Sequence, residues 1–348
     1  MKKSLLGLSL EEMKKIIASY GEPSFRAKQL FEGVIKAKQI EEISNLPKSL
    51  KEKLAEDYVS IPVSIYKKFE SVDGTKKYAL KLLDDEIIEC VVLSYHYGKT
   101  ICISTQVGCR MGCAFCASGL NGLVRNLTVS EILGEVLLVN RDLGDGNSRE
   151  ITNIVLMGSG EPLDNYDNVC QFLKTISSEE SLNISQRNIS LSTCGLVPKI
   201  KQLADDGFNV TLTISLHAPT DEKRKQIMKI ANAYSLSEVI GAAKYYFNKT
   251  GRRVVFEYSM IDNFNDGFED AEHLAKLVSG FPTHINLIPL NSVKEKNLIG
   301  TKKKKIYAFK DKLEKLGVSA SIRRSLGADI EGACGQLRNK LLKNSSQN

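Results

Sequence analysis

The chain has 348 residues, 42% of them hydrophobic, with a net charge of +7, eight cysteines and no tryptophan. That length can bury a full α/β core with a small extra domain, and no apolar run reaches membrane-spanning length, so a soluble fold is expected. The charge is concentrated at the ends, with fourteen Lys/Arg against five Asp/Glu over 293–348 and eleven against seven over 1–55.

Residues 1–60 read as a helical module. Ser9-Leu-Glu-Glu12 is a capping box, and Leu10, Met13, Ile16 and Ile17 recur at helical spacing. Gly21-Glu-Pro23 stops that helix, a second begins near Ser24, and Asn45-Leu-Pro47 breaks again before a third. Lys14, Lys15, Arg26, Lys28, Lys36 and Lys38 leave the outer faces basic. Basic ends suit a polyanion such as RNA gripped from both sides; a solvated lysine-rich surface gives the same count.

Over 61–95 the apolar period changes to two, with Val72-Asp-Gly74 and Asp84-Asp85 as turns, which predicts hairpins or a meander linking the module to a core over 96–343. Strands are expected at 101–105, 151–157, 188–193, 210–216, 254–260, 284–288 and 318–322. Helices fill the gaps, the clearest over 128–141 behind the capping box Thr128-x-x-Glu131. This α/β alternation implies a parallel sheet curled into a partial or full barrel, with ligands at the C-terminal strand ends. The tail 344–348 is polar and is expected to fray.

The first core strand runs into Cys109-Arg-Met-Gly-Cys113-Ala-Phe115-Cys116. A structural zinc site needs four closed ligands, and only one C-x2-C is present. A disulfide framework does not suit a chain that begins Met-Lys-Lys with no signal-peptide apolar stretch and so reads as cytoplasmic. A [4Fe–4S] cluster on three cysteines leaves one iron open to a substrate. The C-x3-C-x-aromatic-C spacing resembles that of radical S-adenosylmethionine (SAM) enzymes, in which that iron chelates SAM and its reductive cleavage yields a 5′-deoxyadenosyl radical.

Polar groups follow the later strands: Gly158-Ser-Gly160-Glu161-Pro162, Ser192-Thr-Cys194, Ser215-Leu216-His217 and Asn291. Glycines admit a ligand to the backbone and a carboxylate accepts from an ammonium, although one such turn or a lone histidine is commonly structural. Cys102 lies within the first core strand. Cys334 sits among small residues, with Arg323, Arg324 and Arg338 nearby to favour a thiolate. Cys90, Cys170 and Cys194 read as packing.

Taken with Gly-Ala-Asp-Ile-Glu-Gly-Ala-Cys334-Gly-Gln-Leu, these motifs resemble the RlmN/Cfr family of radical SAM RNA methyltransferases over essentially the whole chain. The resemblance implies a partial (βα)6 barrel with an N-terminal helical RNA-binding accessory domain and a small β linker. It implies a cluster on Cys109, Cys113 and Cys116, and SAM held by Gly160, Glu161, Ser192, Ser215, Leu216, His217 and Asn291. Two SAM molecules serve each turnover. Cys334 takes a methyl from the first, and the radical from the second converts it to a methylene radical that adds to C2 of an adenosine. Cys102 then releases the product by forming a disulfide with Cys334, and Glu89 matches the position suggested to accept a proton. From its strand pattern alone Glu89 is a carboxylate on an exposed face.

The implied substrates are an adenosine in the peptidyl-transferase centre of 23S rRNA and, in some members, the adenosine 3′ of the tRNA anticodon. A flavodoxin- or ferredoxin-type reductant and a monomeric state are expected. Lys229, where the family usually has proline, and Ser292, where proline is common, are departures that bear on loop shape. A Cfr-type enzyme acting at C8 shares both catalytic cysteines. A non-catalytic iron–sulfur RNA-binding protein, or an activase for another protein, would have no use for Cys334.

Overall fold

The structure, a computed structural model, describes residues 2–144 and 148–337. The tail 344–348 and Arg338 lie outside the described residues.

The chain opens with three helices, α1 (Leu10–Ser19), α2 (Phe25–Ile35) and α3 (Lys48–Asp57). Ser9 caps α1 as expected: its backbone N–H donates to the Glu12 carboxylate at 2.8 Å while its hydroxyl accepts from Glu12 N at 3.3 Å. Met13, Ile17, Leu30, Val34, Leu50 and Leu54 are buried in the same hydrophobic core as the sheet. The module is also pinned by Arg141, which pairs with Glu42 at 2.7 Å and donates to the Ala37 carbonyl at 2.6 Å.

Ten strands then form one sheet whose spatial order is the chain order. They are β1 (Val63–Glu70), β2 (Lys76–Leu82), β3 (Ile87–Tyr95), β4 (Gly98–Ile103), β5 (Ile151–Leu156), β6 (Ile189–Thr193), β7 (Thr211–Ser215), β8 (Val254–Met260), β9 (Thr283–Pro289) and β10 (Ala320–Ile322). From β1 to β4 neighbours run antiparallel, and from β4 to β10 they run parallel. Val91 pairs with Cys102 and Tyr95 with Gly98, so the sheet continues without a break across residue 95. The edge strands β1 and β10 do not pair, which leaves an open sheet.

Helices α4 (Val129–Leu143), α5 (Tyr166–Ile176), α6 (Val197–Asp205), α7 (Asp221–Ile227), α8 (Leu236–Thr250), α9 (Phe268–Leu277) and α10 (Lys303–Lys315) fill the crossovers. Along β6 and β7 apolar and polar residues alternate, with Ile189, Leu191, Leu212 and Ile214 fully buried and Ser190, Ser192, Thr211 and Ser215 only partly so, the pattern of a sheet with one face in the core. All seven expected core strands are present, with ends shifted by up to three residues. The crossovers place the loops after β4 to β9 on one end of the sheet, where the chemistry-bearing residues gather.

Candidate active site

The cysteine loop is held by main-chain bonds on three sides. Cys109 N donates to Gly122 O at 2.9 Å, Ala114 N to Ile227 O at 2.9 Å, and Ala117 N to Gly335 O at 2.8 Å. Cys109, Cys113 and Cys116 all line one cleft, and all eight cysteines of the chain are free thiols. Burial pushes the Cys109 thiol up to about 12 and Cys113 higher still, each further disfavoured as a thiolate by the neighbouring sulfurs. A cationic partner beside Cys109 and Cys113 would favour their thiolates. Among the described residues, no three His, Cys, Asp or Glu side chains converge tightly enough for a single metal ion.

The cleft, counted with the solvent at its mouth, holds about 900 Å³, ample for a nucleoside. Gly160, Glu161, Ser192, Ser215, His217 and Asn291 line it with the cysteines. Leu216 does not; its side chain is fully buried in the main core. Gly160 has φ +110°, and a Cβ there would sit 2.7 Å from Gln106 Cβ, so the turn admits only glycine. Burial raises the pKa of Glu161, against N–H donors from Cys194 at 2.7 Å and Leu163 at 3.1 Å. His217 is pushed down to about 3 by burial and so stays neutral. Its Nδ1 accepts from Ser259 N at 2.9 Å, and its ring meets Phe115 edge-on at 4.5 Å. Cys194 packs against Met111, Cys113 and Phe115 and also lines the cleft.

A second cavity adjoins the first. Cys102 and Cys334 both line it, and Met157, Ile288, Asn291, Arg323 and Cys334 belong to both spaces. Burial pushes both thiols up, and Arg323 opposes that shift at each. Arg323 is oriented by Glu257, 2.9 Å from its Nη1. The loop that carries Cys334 is tethered three ways. Asn291 donates to the Cys334 carbonyl at 3.1 Å, Ser118 to Leu337 O at 2.9 Å, and Gly327 N to Asp73 at 2.8 Å.

Glu89 is not exposed. It is buried on β3 and paired with Lys77 at 3.1 Å, and it lines neither cavity. Lys229 lies over the cysteine loop, close enough that a Cβ on Gly112 would come within 3.2 Å of its Cδ. Glu257 escaped the sequence reading, although a carboxylate within the apolar run Val254–Met260 is the signal that could have found it.

The sequence comparisons agree with this geometry. Residues 103–278 match the radical SAM superfamily, and 3–59 match the ribosomal RNA large subunit methyltransferase N-terminal domain. A protein of Clostridium perfringens strain 13, named "Probable dual-specificity RNA methyltransferase RlmN", is 53% identical over 344 residues, with 98% of each chain covered. A relative of that name from Clostridium novyi is 50% identical, covering 99% of this chain and 100% of its own. A crystal structure of a radical SAM methyltransferase from Sphaerobacter thermophilus superposes with a TM-score of 0.93 at 38% identity, covering 97% of this chain and 100% of that one.

Fold and cysteine loop together define a radical SAM enzyme, a class that works with SAM and a [4Fe–4S] cluster. Within that class the chain belongs to the RlmN family of RNA methyltransferases. Among the described residues no helix is long and apolar enough to cross a membrane.

Proposed function

We propose that this enzyme methylates C2 of the peptidyl-transferase-centre adenosine in 23S rRNA and C2 of the adenosine 3′ of the tRNA anticodon, carrying the methyl group on Cys334. The observation that supports it is that Cys334 belongs to both cavities, one shared with the three loop cysteines and the other with Cys102.

In this reading Cys109, Cys113 and Cys116 hold the cluster. Gly160, Glu161, Ser192, Ser215, His217 and Asn291 hold SAM. The bound groups supply the methyl and, with one electron from a flavodoxin- or ferredoxin-type donor, a hydrogen-abstracting radical. Cys334 first attacks the methyl carbon as a thiolate, which the Arg323 guanidinium favours. Adenine C2 is electron-poor, so a carbon radical tethered to Cys334 suits it better than a methyl cation, and tethering supplies proximity. Glu89 lies on the face of β3 that also presents Val91 and Leu93 to the second cavity, and it is assigned the C2 proton. Cys102, as a thiolate, would then attack the Cys334 sulfur: the S–S bond forms, and the S–CH2 bond breaks with its electron pair going to the base's carbon, which takes a proton to become the methyl group. The adduct's odd electron would return to the bound cluster, and an external dithiol reduces the disulfide. The basic N-terminal module and the C-terminal region hold RNA phosphates, and the enzyme acts as a monomer in the cytoplasm.

The test is mass analysis of the Cys334 peptide from anaerobically purified protein, wild type and Cys102→Ala, with mass analysis of the modified nucleoside. A methylated Cys334 is expected in the wild type, an RNA adduct on Cys334 in the variant, and 2-methyladenosine as product. An unmodified Cys334 in both proteins, with the cluster intact and RNA present, would overturn the carrier mechanism. 8-Methyladenosine would overturn the C2 assignment.

A further inference from the structure

The β3–β4 hairpin tip carries three consecutive aromatic residues, Tyr95-His96-Tyr97. The Tyr95 and Tyr97 rings lie 5.0 Å apart and within 7° of parallel, and His96 meets Tyr97 edge-on at 5.1 Å. Tyr97 is 58% exposed, unusual for a ring already stacked on one side. Tyr95 lines the cavity of Cys102 and Cys334, and both tyrosines line a further opening that leads outward past Asn153, Arg187 and Arg323. The two tyrosines therefore border a path from the cavity of Cys334 to the surface.

Its position in the sheet matters. β4 runs from Gly98 towards the cysteine loop, so the hairpin tip lies at the opposite end of the parallel strands from the SAM cleft. Two cations lie at that end: Arg187 precedes β6 and Arg253 precedes β8; both are exposed, and neither has a carboxylate partner among the described residues. Aromatic faces flanked by unpaired guanidiniums are the chemistry that holds single-stranded nucleic acid: the rings take bases and the cations take phosphates. A peptide or lipid would have no matching use for a parallel tyrosine stack at an end that carries two unpaired arginines.

We propose that Tyr97, backed by Tyr95, stacks on an unpaired nucleobase of the RNA substrate beside the one being methylated, with Arg187 on a flanking phosphate. This rests on the enzyme's reading as an RNA methyltransferase. It adds that RNA reaches Cys334 from the end of the sheet opposite SAM, so that base and cofactor meet at the sulfur from two sides. Specificity for an unpaired segment follows, because a base within a duplex has no free face to offer.

The absence of tryptophan makes the test direct. In Tyr97→Trp holoenzyme the only indole sits on the platform. Titration with a synthetic RNA stem-loop bearing an unpaired adenosine-containing loop should quench its emission, and the fully paired duplex of the same sequence should not. Tyr97→Ala should weaken stem-loop binding roughly tenfold or more, the usual effect of losing one base–aromatic stack, while Tyr97→Phe keeps the affinity. Tyr97 is exposed, so its substitution leaves the core packing intact, and thermal midpoints check that. Unchanged indole emission at saturating stem-loop, or an unchanged Kd in Tyr97→Ala, would overturn the platform even while wild type still methylates RNA. Wild type that neither binds nor methylates either RNA would overturn the functional reading and the platform with it.

Discussion

The side-chain amide of Asn291 donates to the backbone carbonyl of Cys334 at 3.1 Å, and Asn291 lines both cavities. One residue therefore borders the cleft of the three loop cysteines and fastens the loop that carries Cys334. A single such bond is worth about 0.5–1.5 kcal/mol. Asn291→Ala should slow methylation of Cys334 roughly three- to tenfold in single turnover, the factor that energy implies. Quench-flow with mass detection of the Cys334 peptide checks this.

The Lys77–Glu89 pair, 3.1 Å apart and only 7% exposed on each side, separates a structural from a chemical role for Glu89. Glu89→Ala should destabilise the fold by about 3 kcal/mol, because it strands a buried ammonium. The double variant Lys77→Met/Glu89→Leu should recover most of that in urea unfolding. If Glu89 takes the C2 proton, the double variant will fold well and still release product far more slowly than wild type.

Gly160→Ala places a Cβ against Gln106 and forces φ +110° on an L-residue. A loss of about 2 kcal/mol in stability is expected from strain alone. The turn it distorts borders the cleft, so SAM affinity by equilibrium dialysis should fall as well. Gly207→Ala, also at positive φ but with open space around it, should cost stability and leave SAM affinity unchanged.

His217 supplies a pH dependence with a definite sign. Burial holds its pKa at about 3 against 6.5 for a free imidazole, so the unfolded chain binds the extra proton. Stability from this group is full above pH 6.5 and is lost as pH falls below it. Between pH 7.5 and 5.5 the loss is about 1 kcal/mol. Urea unfolding of the iron-free chain at both pH values should show that difference, reduced by about this amount in His217→Asn.

The strands, the two capping boxes and the cysteine loop were legible because each is a local pattern: alternation, an apolar run, or a spacing within eight residues. The Thr128 box formed as read, its backbone N–H donating to the Glu131 carboxylate at 2.8 Å. What the sequence could not show were relationships across the sheet. Arg323 and Glu257 stand 66 residues apart and meet only because β8, β9 and β10 are neighbours. Period two marked Glu89 as a residue on a strand face but not that Lys77, on the adjacent strand, would make that face an interior one. Leu216 shares a tripeptide with Ser215 and His217, yet alternation turns it into the core while they border the cleft.

The three tethers on the Cys334 loop bear on how the methyl travels. With the backbone moored to Asn291, to Ser118 and to Asp73, the loop itself has little room to swing. On the proposed mechanism the sulfur would have to face SAM, then the base, then Cys102, so the turning falls to the Cα–Cβ bond of Cys334, flanked by the small residues Gly332, Ala333 and Gly335. On that mechanism the carrier would be a relay with a single moving part, reached from solvent by way of the cleft mouth and the opening past Tyr97.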